Sequence, residues 1–257
     1  MTVRRTAGRQ AAGIWKRLPH GVALLLCAAL VGCASGPNAN PKDPLEPFNR
    51  SMFEFNDALD HAVLKPVATA YKEVTPELVR RGVGNFFNNI EDLWSFVNNV
   101  LQLKGEGAAS SLMRVSVNTI IGLGGILDVA SEMEIERHTE DFGQTLGRWG
   151  VGAGPYVVLP FFGPSTLRDT VALPVDKTVG DPVTKIEDIP VRNTLWTLRL
   201  VDNRAQVLKA GDLLEEVALD KYTFFRDSHL QRRRNAVFDG NPPEEESENE
   251  PVPESSR

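Results

Sequence analysis

A mostly helical, all-α domain is predicted by three observations. Apolar residues recur at steps of three and four over long runs, whereas the one stretch that could be extended is too rich in proline for a central strand. Composition shifts bound the foldable region, and 43–240 is long enough for one domain with its own core.

The first helix begins near Phe48. Phe48, Met52, Phe55, Leu59 and Ala62 step by four and three, and Arg50, Glu54, Asp57 and His61 follow two positions later, about half a turn away. The helix is expected to stop at Leu64-Lys65-Pro66, because a proline disfavours helical backbone in the residue before it. A second run follows Pro76, read as a first-turn proline. Its apolar stripe is Val79, Val83, Phe86, Ile90, Leu93, Val97 and Val100, and its polar stripe is Arg81, Asn85, Asn88, Asp92, Ser95, Asn99 and Gln102. Gly82 and Gly84 weaken its start, and a break near Asn88-Asn89 is possible. A third helix is predicted from Ala108 to Ile121, with Ser111, Arg114 and Asn118 on a polar line, ending at the glycines 122, 124 and 125. Gly150, Gly152 and Gly154 then alternate ahead of Pro155, Pro160 and Pro164, a loose base with a stiff arm, and Val157-Val158-Leu159 reads as a short extended segment. Asn193 or Thr194 is expected to cap a helix carrying Leu195, Leu198, Ala205 and Leu208. The last helix runs from about Asp220, with Arg232, Arg233 and Arg234 complementing its C-terminal dipole.

The ends read differently. Arg4, Arg5, Arg9, Lys16 and Arg17 precede a short apolar run, Val22 to Val31, that closes on Leu30-Val31-Gly32-Cys33. This is a lipoprotein signal peptide rather than a membrane span, with cleavage between Gly32 and Cys33 and acyl chains on Cys33. Cys27 is discarded with residues 1–32, so no thiol remains for a disulfide or metal site. Removing five basic residues leaves 23 against 34 acidic, a net charge of −11, which argues against a nucleic-acid partner. Residues 33–42 form a lipidated tether, and 241–257 form an acidic tail that cannot bury enough apolar surface to order itself.

The stripes have two meanings, and spacing does not choose between them. They are the core faces of a soluble helical domain, or helices lying in a membrane with the apolar side toward acyl chains. Enzyme readings find no constellation. Ser165 lacks the second glycine of a nucleophile elbow, Gly122 and Gly124 lack the third glycine of a dinucleotide fingerprint, and His61, His138 and His229 make no zinc pair. No cofactor or metal is expected.

At Asp43-Pro44-Leu45-Glu46-Pro47-Phe48-Asn49-Arg50 through Asn56 the chain resembles the MlaA (VacJ) outer-membrane lipoproteins. The likeness continues at Arg81 to Phe87, Asn118 to Asp128, Glu140 to Gly147, Gly154 to Asp169, and Arg226-Asp227 before Leu230 to Arg233. It implies a ring-shaped, membrane-embedded bundle around a central pore, with a glycine- and proline-rich hairpin or loop beside it. It also implies a place in the inner leaflet of a Gram-negative outer membrane, and Ala34 after Cys33 is compatible with sorting there. The implied function is passive removal of stray phospholipids from the outer leaflet, with a trimeric porin and a soluble periplasmic carrier as partners. On that reading Phe48, Met52, Phe55 and Leu59 face the membrane. Asn85, Asn88, Asp92, Ser111, Arg114 and Asn118 line a candidate headgroup path, with Arg114 either a phosphate ligand or half of an intraprotein salt bridge, and Gly150, Gly152, Gly154 and Pro155 form either the hinge of a flap or a static loop whose glycines satisfy tight turns. The alternatives are a non-transporting structural or virulence-associated lipoprotein and, more remotely, a phospholipase.

Overall fold

The computed structural model describes residues 43–244. The signal segment, the tether with its Gly32-Cys33 cleavage and lipid site, and the tail from 245 lie outside the described residues.

Helix α1 (Glu46–Leu59) passes without a break into a π turn (Asp60–Leu64) and on into α2 (Lys65–Val74), so Pro66 does not end it. The Lys65 N–H bonds back five residues to Asp60 O, which widens the turn and lets Lys65 stay helical. Pro66 then falls in the first turn of a new segment, where its missing N–H costs little. Helix α3 (Glu77–Leu101) starts after Pro76, which caps it from one position outside, and it continues unbroken through Asn88-Asn89. Helix α4 (Gly105–Ile120) folds back along it. The two approach closely because Gly107 has no side chain: a Cβ there would sit 2.2 Å from Asn99 Oδ1.

After short α5 (Val129–Glu132) and α6 (Phe142–Arg148), the chain forms its only strands among the described residues. Strands β1 (Tyr156–Leu159) and β2 (Gly163–Thr166) form an antiparallel hairpin pairing Tyr156 with Thr166 and Leu159 with Gly163. Helices α7 (Leu167–Thr178), α8 (Ile189–Gln206), α9 (Leu208–Val217) and α10 (Lys221–Val237) complete the fold. Helix α8 starts earlier than Asn193, because Asp188 accepts from Val191 N at 2.9 Å and Pro190 suits the first turn. Helix α10 starts after Asp220, as its sequence predicts.

Two asparagines of the opening motif tie the hairpin to α1. Asn49 donates to Tyr156 O (3.0 Å) and accepts from Val158 N (2.8 Å). Asn56 donates to Leu159 O (2.9 Å) and accepts from Phe161 N (2.8 Å). Seven helical residues rise about 10 Å, and three strand residues span about the same length. Each amide therefore meets a free edge of β1 and substitutes for a neighbouring strand.

Burial is inverted relative to an ordinary soluble domain. Among the described residues twelve buried hydrophobic side chains are outnumbered by twenty buried polar ones. Along α3 and its C-cap the later part of the polar stripe turns inward, with Asp92, Ser95, Asn99 and Gln102 buried beside Asn98, while Arg81 at its start is exposed. The apolar side of α3 turns out, with Val79, Leu93 and Val100 exposed. Phe48, Phe55 and Leu59 of α1 are likewise exposed, continued by Val63 and Val67, and α4 adds Leu112, Met113 and Ile120. Met52 departs from its expected place, packing beside the buried Tyr156, Val158 and Tyr222. No helix among the described residues is long and apolar enough to cross a membrane.

Candidate functional site

The inward faces of α3, α4 and α6 join in a polar spine. Asp92 receives Arg114 Nε (3.1 Å) and Arg137 Nε (2.6 Å). Glu140 receives Gln102 (2.8 Å), Gln144 (2.6 Å) and Lys104 Nζ (2.8 Å), and Thr145 donates to Asn98 Oδ1 at 2.7 Å. These buried side chains satisfy one another across the interior, between helices and the non-helical segment that carries Arg137 and Glu140.

The two polar lines expected on α3 and α4 do meet. Only Arg114 and Asp92 bond directly across them, however, and most of the other residues are occupied elsewhere in the protein. Arg114 donates from Nε to Asp92, from Nη1 to Ser131 Oγ (3.2 Å) and Ile135 O (2.7 Å), and from Nη2 to both oxygens of Asp128. All its donor positions are engaged within the protein, so the phosphate-ligand role expected of Arg114 is corrected to that of a tie between helices. Asn118 is committed too, donating to Asp128 and accepting from Ala130 N. Ser111 Oγ is buried with no partner among the described residues. Asn85 and Asn88 are only half-buried: Asn85 donates to Ile126 O, and the Asn88 carbonyl accepts from Arg137.

A second assembly lies behind the glycine arm. Gly150, at φ +94°, closes α6, and the Val151 N–H reaches back to Leu146 O as in a Schellman cap. Gly154, at φ +68°, turns the chain toward β1. Arg168 N to Ala153 O and Leu167 N to Pro155 O then pin the arm to the start of α7. Gly150 and Gly154 thus meet turn requirements, and Gly152 has open space around it. The arm, the start of α7 and the C-terminal half of α10 enclose a cavity of about 780 Å³.

The wall of this cavity is held by Arg233. Its guanidinium donates to Asp141 (2.5 and 2.6 Å), Asp169 (2.7 and 3.1 Å) and Gln144 Oε1 (3.0 Å). The arginine run of α10 was expected to serve the helix dipole; Arg233 instead turns inward and joins α6, α7 and α10. Burial raises the Asp169 carboxyl, but Arg233 and Arg168 outweigh that and hold it below the ordinary carboxylate value. Sequence reasoning missed this centre, because nothing in the spacing relates residues 141, 169 and 233.

His229, one turn before Arg233, is pushed down to about 4, first by burial and then by the charges of Arg232 and Arg233. An unfolded histidine with its ordinary value near 6.5 binds more protons than the folded one between pH 6.5 and about 4. Stability is therefore expected to fall as pH drops through that window. His229→Phe should flatten the fall, measured as melting temperature between pH 7 and 4.5; a variant with the wild-type slope contradicts this assignment.

Comparison with known proteins places this geometry. The MlaA lipoprotein family matches residues 41–236. The chain is 39% identical over 209 residues to the intermembrane phospholipid transport system lipoprotein MlaA of Escherichia coli (strain K12), covering 79% of this chain and 82% of that protein. The lipoprotein of the same description from Haemophilus influenzae is 34% identical over 226 residues, 85% of this chain and 90% of that one. A solved structure from work on the structural basis for maintenance of bacterial outer membrane lipid asymmetry is 36% identical. It superposes with a TM-score of 0.66, covering 77% of this chain and 99% of that one. An inward polar spine, outward apolar faces and an asparagine-clamped hairpin therefore describe a chain that belongs to the MlaA lipoprotein family.

Proposed function

We propose that the protein is an outer-membrane lipoprotein serving as a passive conduit that withdraws mislocalised phospholipids from the outer leaflet and hands them to a soluble periplasmic carrier, maintaining lipid asymmetry. The observation that carries this reading is the inverted dressing of the helices. Apolar faces of α1, α3 and α4 point outward, where acyl chains would cover them, and polar groups fill the interior. A path for a phospholipid needs polar walls for its headgroup, with its tails left in the leaflet; most inward polar groups tie the helices to one another, so such walls belong to the groups that keep open surface. That no described helix is long and apolar enough to span fits an address within one leaflet, held by acyl chains on Cys33. A ring there around a pore, its porin partner and its periplasmic carrier rest on family likeness. Half-buried Asn85 and Asn88 are the members of the expected headgroup path still open at its margin, and the glycine arm is the candidate flap. No covalent step is required, so the protein acts as a transporter component rather than an enzyme.

Outer-leaflet phospholipid, measured by accessibility to an external phospholipase in cells lacking the gene, is expected to rise and to return to baseline on complementation. An unchanged outer leaflet in the deletion strain would favour the structural lipoprotein instead.

A further inference from the structure

The geometry points to a phosphate-binding site for the phospholipid headgroup at Arg168, in the cavity behind the glycine arm; this rests on the conduit reading above. Arg168 is 7% exposed, yet its only side-chain partner among the described residues is Asp169, reached from Nε at 2.9 Å. Its Nη1 and Nη2 have no acceptor among the described residues, and neither is among the fully enclosed orphan atoms, so both keep open surface. Arg168 lines the cavity of about 780 Å³. A buried guanidinium with four uncommitted N–H donors is costly unless an acceptor fills the space before it, and a phosphate diester presents paired oxygens to that fork.

The slot is built for this side chain. A Cβ on Gly147 would stand 2.6 Å from Arg168 Nη1, so the bare glycine of α6 is what lets the guanidinium lie flat against the helix. Asp169 fixes the inner edge from one side while being held by Arg233 from the other, which presets the angle of the Arg168 fork without occupying its outer edge. Arg114 makes the contrast: equally buried, it has every donor position taken. The cavity mouth is walled by Val151, Leu230 and Phe238 as well as by polar groups, an amphipathic lining suited to a lipid rather than to a free anion. Binding here would place the headgroup beside the arm of Gly150 to Gly154.

The test titrates the full-length acylated protein in detergent with dihexanoyl-phosphatidylethanolamine. Parallel titrations use dihexanoylglycerol, which has the tails but no phosphate, and inorganic phosphate. Wild type is expected to bind the phospholipid, Arg168→Gln to bind about tenfold more weakly with an unchanged melting temperature, and Arg168→Lys to fall between. Where Arg168→Gln does not fold, phenylglyoxal labelling of wild type replaces it, and the phospholipid should slow modification of the Arg168 peptide but not of an exposed arginine such as Arg81. Equal binding by wild type and Arg168→Gln, an unprotected Arg168, or equal binding of the phosphate-free glyceride would overturn the site while leaving the conduit reading intact. Inorganic phosphate binding as tightly as the phospholipid would overturn the lipid source. Absence of phospholipid binding by wild type, together with an unchanged outer leaflet in the deletion strain, would remove the conduit reading and the site with it.

Discussion

Replacing Arg114 by alanine is expected to cost about 3 kcal/mol of stability, near the lower end of what breaking a buried ion pair costs. The Arg114 and Asp92 side chains are 3% and 2% exposed, so solvent cannot replace the lost partner. The figure lies at the lower end because neither carboxylate is left wholly alone. Asp92 keeps Arg137, and Asp128 keeps Ser131 and Asn118. Arg114→Lys should recover only part of the loss, since a single ammonium cannot reach Asp92, Asp128 and Ile135 O together. Denaturant midpoints of the three proteins test this. A variant Arg114→Ala with wild-type stability but impaired lipid transport would restore the headgroup-ligand role for Arg114 and refute the tie.

The second large effect is on membrane association. Leu93 and Val100 lie seven residues apart on the outer face of α3, 44% and 48% exposed. In an ordinary surface helix, aspartate at both positions would be nearly neutral. Where acyl chains cover that face, each charge at depth costs about 2.5–3.5 kcal/mol. In a Cys33→Ala background, where the helices alone can hold the protein, Leu93→Asp with Val100→Asp should move it from the membrane to the soluble fraction. Its melting temperature in detergent should change far less than its membrane binding, because each side chain is only about half covered by protein. Retained membrane binding, or a collapse of stability in detergent, would show that this face is not in contact with lipid. Phe55 is a poorer probe, as its ring stacks edge-on against Phe161 at 5.4 Å and its loss would also disturb the hairpin tip.

Both experiments turn on a distinction the one-dimensional pattern does not hold. Periodicity located helices at Phe48 and after Pro76, because spacing of three and four is a property of the chain itself. It could not say which stripe faces in. A moment has the same magnitude whether the apolar side meets a core or a bilayer, and only the burial of Ser95, Asn98 and Asn99 opposite the exposed Leu93 and Val100 decides it. The stop expected at Pro66 failed for a related reason: local propensity disfavours the helix there, and a π turn held by packing of α2 on α8 carries the chain through.

The amino-acid sequence by itself determined the helical class, the prolines that keep Gly150 to Pro164 out of any helix and the motifs that mark the family. Asn49 and Asn56 were visible there as motif residues, but their work as substitutes for a strand needed the hairpin beside them. Only the tertiary structure separated two buried arginines of the same chemistry. Arg114 is enclosed by acceptors drawn from 92, 128, 131 and 135, whereas Arg168 rests in the slot left by Gly147 with its outer edge open to a cavity. Those partners are scattered along the chain, and the desolvation that makes one arginine a tie and the other a site exists only once the helices have enclosed them.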